Sequence, residues 1–441
     1  MRSRSFWLAV ITASTLVSRP LWADSWAETW SANQASGSWE VPANWTANAV
    51  PSASDQVAVF GDSVGWHPFT ITLNQPETVN SLSFVATEGG SYNLTGSPLT
   101  FAGSQPYISV GLSNVNTDII SAPVVLNSNV VLDDAVGTLN LSGGISGSGQ
   151  ILKFGSGTLV LSSPDTDTGD AMIFSGQVTL TPAGTFQAAM ITLETGSELY
   201  VAGSSATTTV QHIGTIQLMG GTAVFGSTSS RTVVVTPSVV SAPGSSLDLK
   251  SNSLDLSSES LTAANAQVAA GYNLAGGANW QGSGGITSSN AAANSSHLTA
   301  LGVVQNNQGG SPLFTATNMF GGTTPNPGDV LVKYTWFGDA NLDGKVDGSD
   351  YSLIDAGYAS GGQLTGWYNG DFNYDGTIDG SDYALIDNAY NNQGSPIKSS
   401  AMVAVSTAQV AASSATVPEP AAASLVIAVA IASRRRPVQR S

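Results

Sequence analysis

The sequence predicts a mainly β protein of many short strands, followed near its C-terminus by a small helical module. Three observations carry that prediction. From about Val57 to Leu256, short runs such as "VNSLSFV", "GTLNLSG", "GTLVLSS" and "QVTLTP" alternate apolar with polar residues and are separated by Gly, Ser, Asn or Asp. Alternation with period two is the signature of a strand, and the turn residues end each one early. The 441 residues include 48 Gly but only 10% charged residues, too little charge for the exposed faces of many helices. Finally, "GDANLDGKVDGSD" at 338–350 returns as "GDFNYDGTIDGSD" at 370–382, and each copy runs into a stretch with apolar residues at helical spacing. Strands so short and so numerous fit a sandwich, a barrel, or a solenoid whose coils stack into parallel sheets.

The length corresponds to two or three domains, and the lack of Cys excludes a disulfide scaffold. A net charge of −17 argues against nucleic acid as a partner, because phosphate binding needs basic patches that the body of this chain does not have.

Residues 1–23, "MRSRSFWLAVITASTLVSRPLWA", join a basic start, an apolar stretch from Phe6 to Val17 and a small residue at Ala23. That is the pattern of a secretory signal peptide, so the mature protein is expected outside the cytoplasm. Residues 24–56 are expected to form an N-terminal cap. Five of the ten Trp lie between Trp26 and Trp66, and such rings can plug a first coil whose open end would expose strand edges. A platform that stacks sugars is the alternative use of the same rings. The stretch "GSWEVPANWTANAVPSASDQVAVF", with Trp39, Trp45, Pro51 and Asp55, is similar to the start of many exported bacterial β-helix proteins.

Within 57–256 one stretch separates the architectures. "GQILKFGSGTLVLSSPDTDTGDAMIFSGQVTL", Gly149 to Leu180, resembles the autotransporter-associated β-strand repeat, whose pattern falls on Ile151, Lys153, Gly155, Gly157, Thr158, Leu159 and Leu161. The resemblance implies a right-handed parallel β-helix. Residues 257–335 change character: Leu261, Ala264 and Val268 have helical spacing, a Gly-rich stretch follows, and "DVLVKYTWF" returns to strand. A small α+β connector is expected there.

The duplicated stretch carries the chemistry. Asp339, Asn341, Asp343, Asp347 and Asp350 fall at positions one, three, five, nine and twelve of a loop, with Gly344 at six and the Lys345 carbonyl at seven. The second copy supplies Asp371, Asn373, Asp375, the Thr377 carbonyl, Asp379 and Asp382 around Gly376. Ca²⁺ takes six to eight hard oxygens, and an acidic 12-residue loop with Gly at its sharp turn converges them. Four carboxylates so close together repel one another without a cation. Two Ca²⁺ ions are therefore expected. Position twelve is Asp rather than the Glu of an ordinary EF-hand, and a helix follows each loop: Tyr351, Ile354 and Tyr358 line one apolar face, Tyr383, Ile386 and Tyr390 the other.

Loop followed by helix, twice, from Trp336 to about Tyr390, closely resembles the type I dockerin. The resemblance implies a two-fold symmetric Ca²⁺-dependent module over 336–392 that docks onto a cohesin-like or other envelope protein. In that family partner choice lies at loop positions ten and eleven, here Gly348 with Ser349 and Gly380 with Ser381, and further along the helix, here Asp355, Ala356, Asp387 and Asn388. Basic residues are common at those helix positions, and this chain has none there.

A linker is expected over 393–416. The last residues, 417–441, "VPEPAAASLVIAVAIASRRRPVQRS", place a Pro-Glu-Pro triplet before an apolar run and the basic cluster Arg434, Arg435, Arg436. This order resembles the PEP-CTERM sorting signal, which implies an exosortase-type processing protease and membrane contact only through the tail before processing. The run from Ala421 to Ala432 would make only about 18 Å of helix against the roughly 30 Å of a bilayer core.

No catalytic equipment is evident. Glycosidases need two positioned carboxylates, and the densest group in the solenoid, Asp165, Asp167 and Asp170, is explained as turn residues bonding nearby backbone N–H groups. His67, His212 and His297 each stand alone, and there is neither a Gly-x-Ser-x-Gly nor a His-Glu-x-x-His motif. The expectation is a non-catalytic exported cell-surface or extracellular protein, a β-helical stalk or display scaffold attached through its dockerin-like module. The alternatives are a polysaccharide-degrading enzyme, hydrolase or lyase, and a carbohydrate-binding adhesin, either one built on the β-helix.

Overall fold

The computed structural model describes residues 26–397 apart from 32–35, 62–67, 86–89, 112–116, 206–207 and 227–229. The signal peptide, the sorting tail, most of the expected linker, Trp66 and His67 lie outside the described residues. All described residues belong to one compact unit.

Three sheets of 14, 11 and four strands form a parallel β-solenoid of about eight turns, and helices are few. The register shows why the alternating runs choose this architecture. Thr158–Leu161 lies between Thr138–Leu141 and Gly176–Leu180, so that Leu159 stacks on Leu139 and Val178, and Leu161 on Leu141 and Leu180. Each apolar position thus meets another in the coil above and below, all facing one continuous core. Parallel stacking makes a ladder from a pattern that a single strand could not bury.

Lys153 and Gly155 have a physical reason in the stretch from Ile151 to Leu161. Lys153 occupies an inward position stacked between Leu132 and Ile173, and is 0% exposed. Its ammonium lies 2.6 Å from Asp134 Oδ1 and donates to the carbonyls of Ser175 at 3.1 Å and Phe154 at 3.3 Å. A buried charge needs such complete pairing. Gly155 has φ +79, and a Cβ on it would come within 2.4 Å of the Asp134 carbonyl, so the coil corner closes only on glycine.

The N-terminal end is closed by rings. Trp30, Trp39 and Trp45 are buried with Phe60. Trp30 and Trp45 meet edge to face at 5.2 Å, and Trp39 and Trp45 at 5.0 Å. Both indole donors that matter here are satisfied, Trp39 Nε1 by the Pro51 carbonyl at 2.8 Å and Trp45 Nε1 by the Trp39 carbonyl at 2.7 Å. These three rings plug the coil and present no face to a sugar.

Sheet pairing runs past both expected limits of the solenoid. Trp26–Thr29 already pairs with Gln56–Phe60, and Gly285–Thr287 still pairs in parallel with Ser246–Asp248. Between them the connector inserts a helix, Leu261–Tyr272, capped by the Ser260 side chain accepting from Ala263 N and ended by Asn273 in the left-handed region at φ 58. Val330–Trp336 then pairs antiparallel with both Ser253–Leu256 and Thr299–Gln305, so the connector extends the large sheet in reversed direction. Val330–Trp336 leads directly into the first acidic loop.

Candidate functional site

The two acidic loops fold alike because their side chains bond their own backbone in the same places. In the first, Gly344 N donates to Asp339 Oδ2 at 2.9 Å, Asp343 N to Asn341 Oδ1 at 2.8 Å, and Lys345 N to Asp343 Oδ1 at 3.1 Å. Asp350 accepts from Ala340 N through Oδ1 and from Asp347 N through Oδ2, both at 2.9 Å. In the second, Asp375 N donates to Asn373 Oδ1 and Thr377 N to Asp375 Oδ1, both at 2.8 Å. Asp382 accepts from Phe372 N at 2.8 Å and Asp379 N at 3.0 Å. Such Asx turns bend a short chain around a centre. Leu342 and Tyr374, at corresponding positions, both take a left-handed conformation, φ 60 and φ 59.

Each loop ends in a helix, Gly348–Ala359 or Gly380–Asn392, opened by a capping box in which Asp347 with Asp350, or Asp379 with Asp382, satisfies the first N–H groups. The two helices face each other with approximate two-fold symmetry. Gly338 packs on Ile386 so closely that a Cβ would come within 2.5 Å, and Gly370 packs on Ile354 with the same limit.

Position one of each loop holds a buried carboxylate with a free oxygen. Asp339 Oδ1 and Asp371 Oδ1 are buried and have no hydrogen-bond partner. Burial pushes the Asp339 carboxyl up to about 6 against the pull of Lys333, and pushes Asp371 up to about 6 with Asp382 adding to the effect. Burial likewise raises Asp350 to about 7. Among the described residues no three His, Asp or Glu side chains converge as a ready-made metal cluster. The oxygens are spread over the hydrogen bonds that shape each loop. The donor set nonetheless suits a hard dication: an orphaned buried oxygen at position one, and carboxylates that keep free lone pairs after accepting from the backbone.

The residues expected to choose a partner, Gly348, Ser349, Gly380 and Ser381, are all exposed on the first helical turns. Both serine hydroxyls turn inward, Ser349 Oγ donating to Asp347 Oδ1 and Ser381 Oγ to Asp379 Oδ1, each at 2.7 Å. Further along, Asp355 and Asp387 accept hydrogen bonds across the helix pair from Tyr383 and Tyr351.

Several residues around the first loop had no motif to announce them. Lys333, 1% exposed, reaches from its strand to donate to the Leu342 carbonyl at 2.5 Å, with Asp339 Oδ2 at 4.0 Å. Thr335 Oγ1 donates to Asp339 Oδ2, and the buried Trp367 Nε1 donates to the Asp339 carbonyl at 2.7 Å. Gly302 makes room for that indole, since a Cβ there would come within 2.6 Å of both Trp367 and Leu342. Residues 393–397, expected as the start of a linker, clasp the same loop: Gln393 exchanges two hydrogen bonds with Val346 at 2.8 and 2.6 Å, and Ile397 N donates to the Gly344 carbonyl at 2.7 Å.

On the solenoid, Asp165 and Asp167 are 1% and 2% exposed, inward-facing where 165–168 lies over Ile145–Gly147. Asp167 N donates to Asp165 Oδ1 at 2.8 Å, while Asp165 Oδ2 and Asp167 Oδ1 have no partner. Burial raises Asp165 to about 7. They are shut away from any polymeric substrate. His212 is exposed beside a shallow groove of about 380 Å³ that also contains Gln187 and Ser257, and His297 lies at a smaller one of about 270 Å³ beside Trp280. No described helix is long and apolar enough to cross a membrane. No protein-family model matches the chain, and no curated protein or solved structure matches it either.

Proposed function

We propose that this is an exported, non-catalytic surface protein in which a right-handed parallel β-helix serves as a stalk or display scaffold and the paired C-terminal loops bind two Ca²⁺ ions. In this reading 336–397 is a dockerin-like module. Its exposed helical faces dock onto a cohesin-like or other envelope protein, and the PEP-CTERM-like tail directs transient membrane attachment and processing. The observation that carries the proposal is the repetition of the whole loop design 32 residues apart, down to one orphaned buried oxygen on each position-one aspartate.

The physical argument is one of balance. Each loop gathers four carboxylates, and in each the position-one group is buried. A hard dication supplies the charge that such a set lacks and the partner that the orphaned oxygens need. The chain's own part is to hold Asn341 and Asp343, or Asn373 and Asp375, in Asx turns and to keep Asp350 and Asp382 fixed by backbone donors. Ions that bind only the folded loops stabilise them by RT ln(1 + [L]/Kd).

The test is thermal unfolding of the full chain, followed by near-ultraviolet circular dichroism, in Ca²⁺ and in excess chelator. Removal of Ca²⁺ is expected to lower the unfolding temperature and change the aromatic signal around Trp367, with full recovery on adding Ca²⁺ back. Identical traces in both conditions would refute the calcium reading. Docking is tested by capture from the producing cell's envelope extract, which should require Ca²⁺.

A further inference from the structure

The two loops carry the same four aspartates, yet among the described residues cationic side chains stand beside only one of them. Lys333 places its ammonium 4.0 Å from Asp339 Oδ2, buried, and held there by the Leu342 carbonyl. Lys345 lies 3.7 Å from Asp343 Oδ2 and pairs with Asp347 Oδ2. The residues 32 positions later are Thr365 and Thr377, without charge. Among the described residues, the first loop thus has counter-charges supplied by the protein and the second has none.

We propose that the loops are unequal cation sites, in which the second fills first and Lys333 makes the first the weaker one by competing for Asp339. This rests on the calcium reading above. The effect belongs to Lys333 more than to Lys345. An exposed lysine is screened by solvent and can swing away, whereas a buried ammonium acts through a medium of low dielectric and has no other place to go. Preorganisation works in the opposite sense, since Gln393 and Ile397 brace the first loop, while a Cβ on Gly376 of the second would meet nothing within 4 Å. Both loops, however, already contain the same set of Asx turns, so the bracing adds little order that the second loop lacks. A buried ammonium opposing a dication outweighs it.

The experiment is calorimetric titration of Ca²⁺ into the full chain and four variants. The wild type should bind in two steps separated by at least about tenfold in Kd, a difference calorimetry resolves. Asp371→Asn should remove the tighter step and Asp339→Asn the weaker. Lys333→Met, close in shape but uncharged, should tighten the weaker step by about tenfold or more, and Lys333→Arg, which keeps the charge, should leave it weak. Should Lys333→Met fail to fold, the two aspartate variants still decide the order of filling. Two equal steps, or loss of the tighter step in Asp339→Asn, would overturn the inequality and leave the calcium reading standing. No binding in any protein would overturn the calcium reading itself.

Discussion

The Tyr351 hydroxyl donates to Asp387 Oδ1 at 2.5 Å, and the same bond recurs with the helices exchanged, from Tyr383 to Asp355 Oδ1 at 2.5 Å. The aromatic contacts follow the same exchange: Tyr351 meets Tyr390 edge to face at 5.6 Å, and Tyr358 meets Tyr383 at 6.0 Å. A duplicated sequence has become a self-complementary pair of helices, each completing the other. Tyr351→Phe and Tyr383→Phe should therefore each cost about 1 kcal/mol, and nearly equally, as measured by chemical unfolding. A cost confined to one of them would mean that the symmetry is not shared energetically.

The glycines at the turn of the two loops should behave differently. Gly344 and Gly376 have φ +96 and φ +85, so alanine is strained at either, by about 1–2 kcal/mol. Only at Gly344 would the new Cβ also strike a neighbour, the Ile397 carbonyl at 2.3 Å. Gly344→Ala should thus destabilise more than Gly376→Ala and open the 393–397 clasp, which limited proteolysis of that segment would register.

Lys153 and Asp134 form a buried pair in the solenoid core. Lys153→Ala leaves the carboxylate without its partner and should cost about 3–5 kcal/mol. Joint replacement by Lys153→Met and Asp134→Leu should recover most of that loss in urea unfolding. If the single and double variants unfold alike, the pair is not what stabilises this coil.

Raising the pH from acid to neutral should weaken the solenoid. Burial lifts the Asp165 carboxyl to about 7 against the hydrogen bond it accepts from Asp167 N, and lifts Asp255 to about 7 with Asp329 adding to it. A carboxyl whose pKa is raised on folding binds its proton more tightly in the folded state. Its contribution is complete below the unfolded value, roughly 4, and is lost as pH rises through the folded one. Stability should fall between about pH 4 and 7 by an amount on the order of a few kcal/mol. Asp165→Asn should flatten part of that slope in pH-dependent thermal unfolding.

The strands were legible because their apolar alternation survives in the folded chain residue by residue, as at Thr158–Leu161. The loops were legible because the spacing of their Asp and Asn residues is local. What stacks on what was not, since a coil finds its neighbour about twenty residues away through backbone hydrogen bonds that carry no side-chain signature. Asp165 and Asp167 illustrate the limit: "PDTDT" alternates, but with polar residues in both phases, so its inward face could not be told from its outward one. Lys333 is the converse case. In Val330–Trp336 both faces are covered, by the neighbouring strands' core on one side and the module on the other, and a lysine that reads as the solvent side of a strand is buried.

The bond from Ile397 N to the Gly344 carbonyl also decides where load enters the body. If the tail holds the protein as proposed, tension entering at Ile397 reaches the turn of the first loop before it reaches either helix of the module. A cation gripping that loop would then act as a rivet where Ile397 meets it, and its loss would let the module peel from that end.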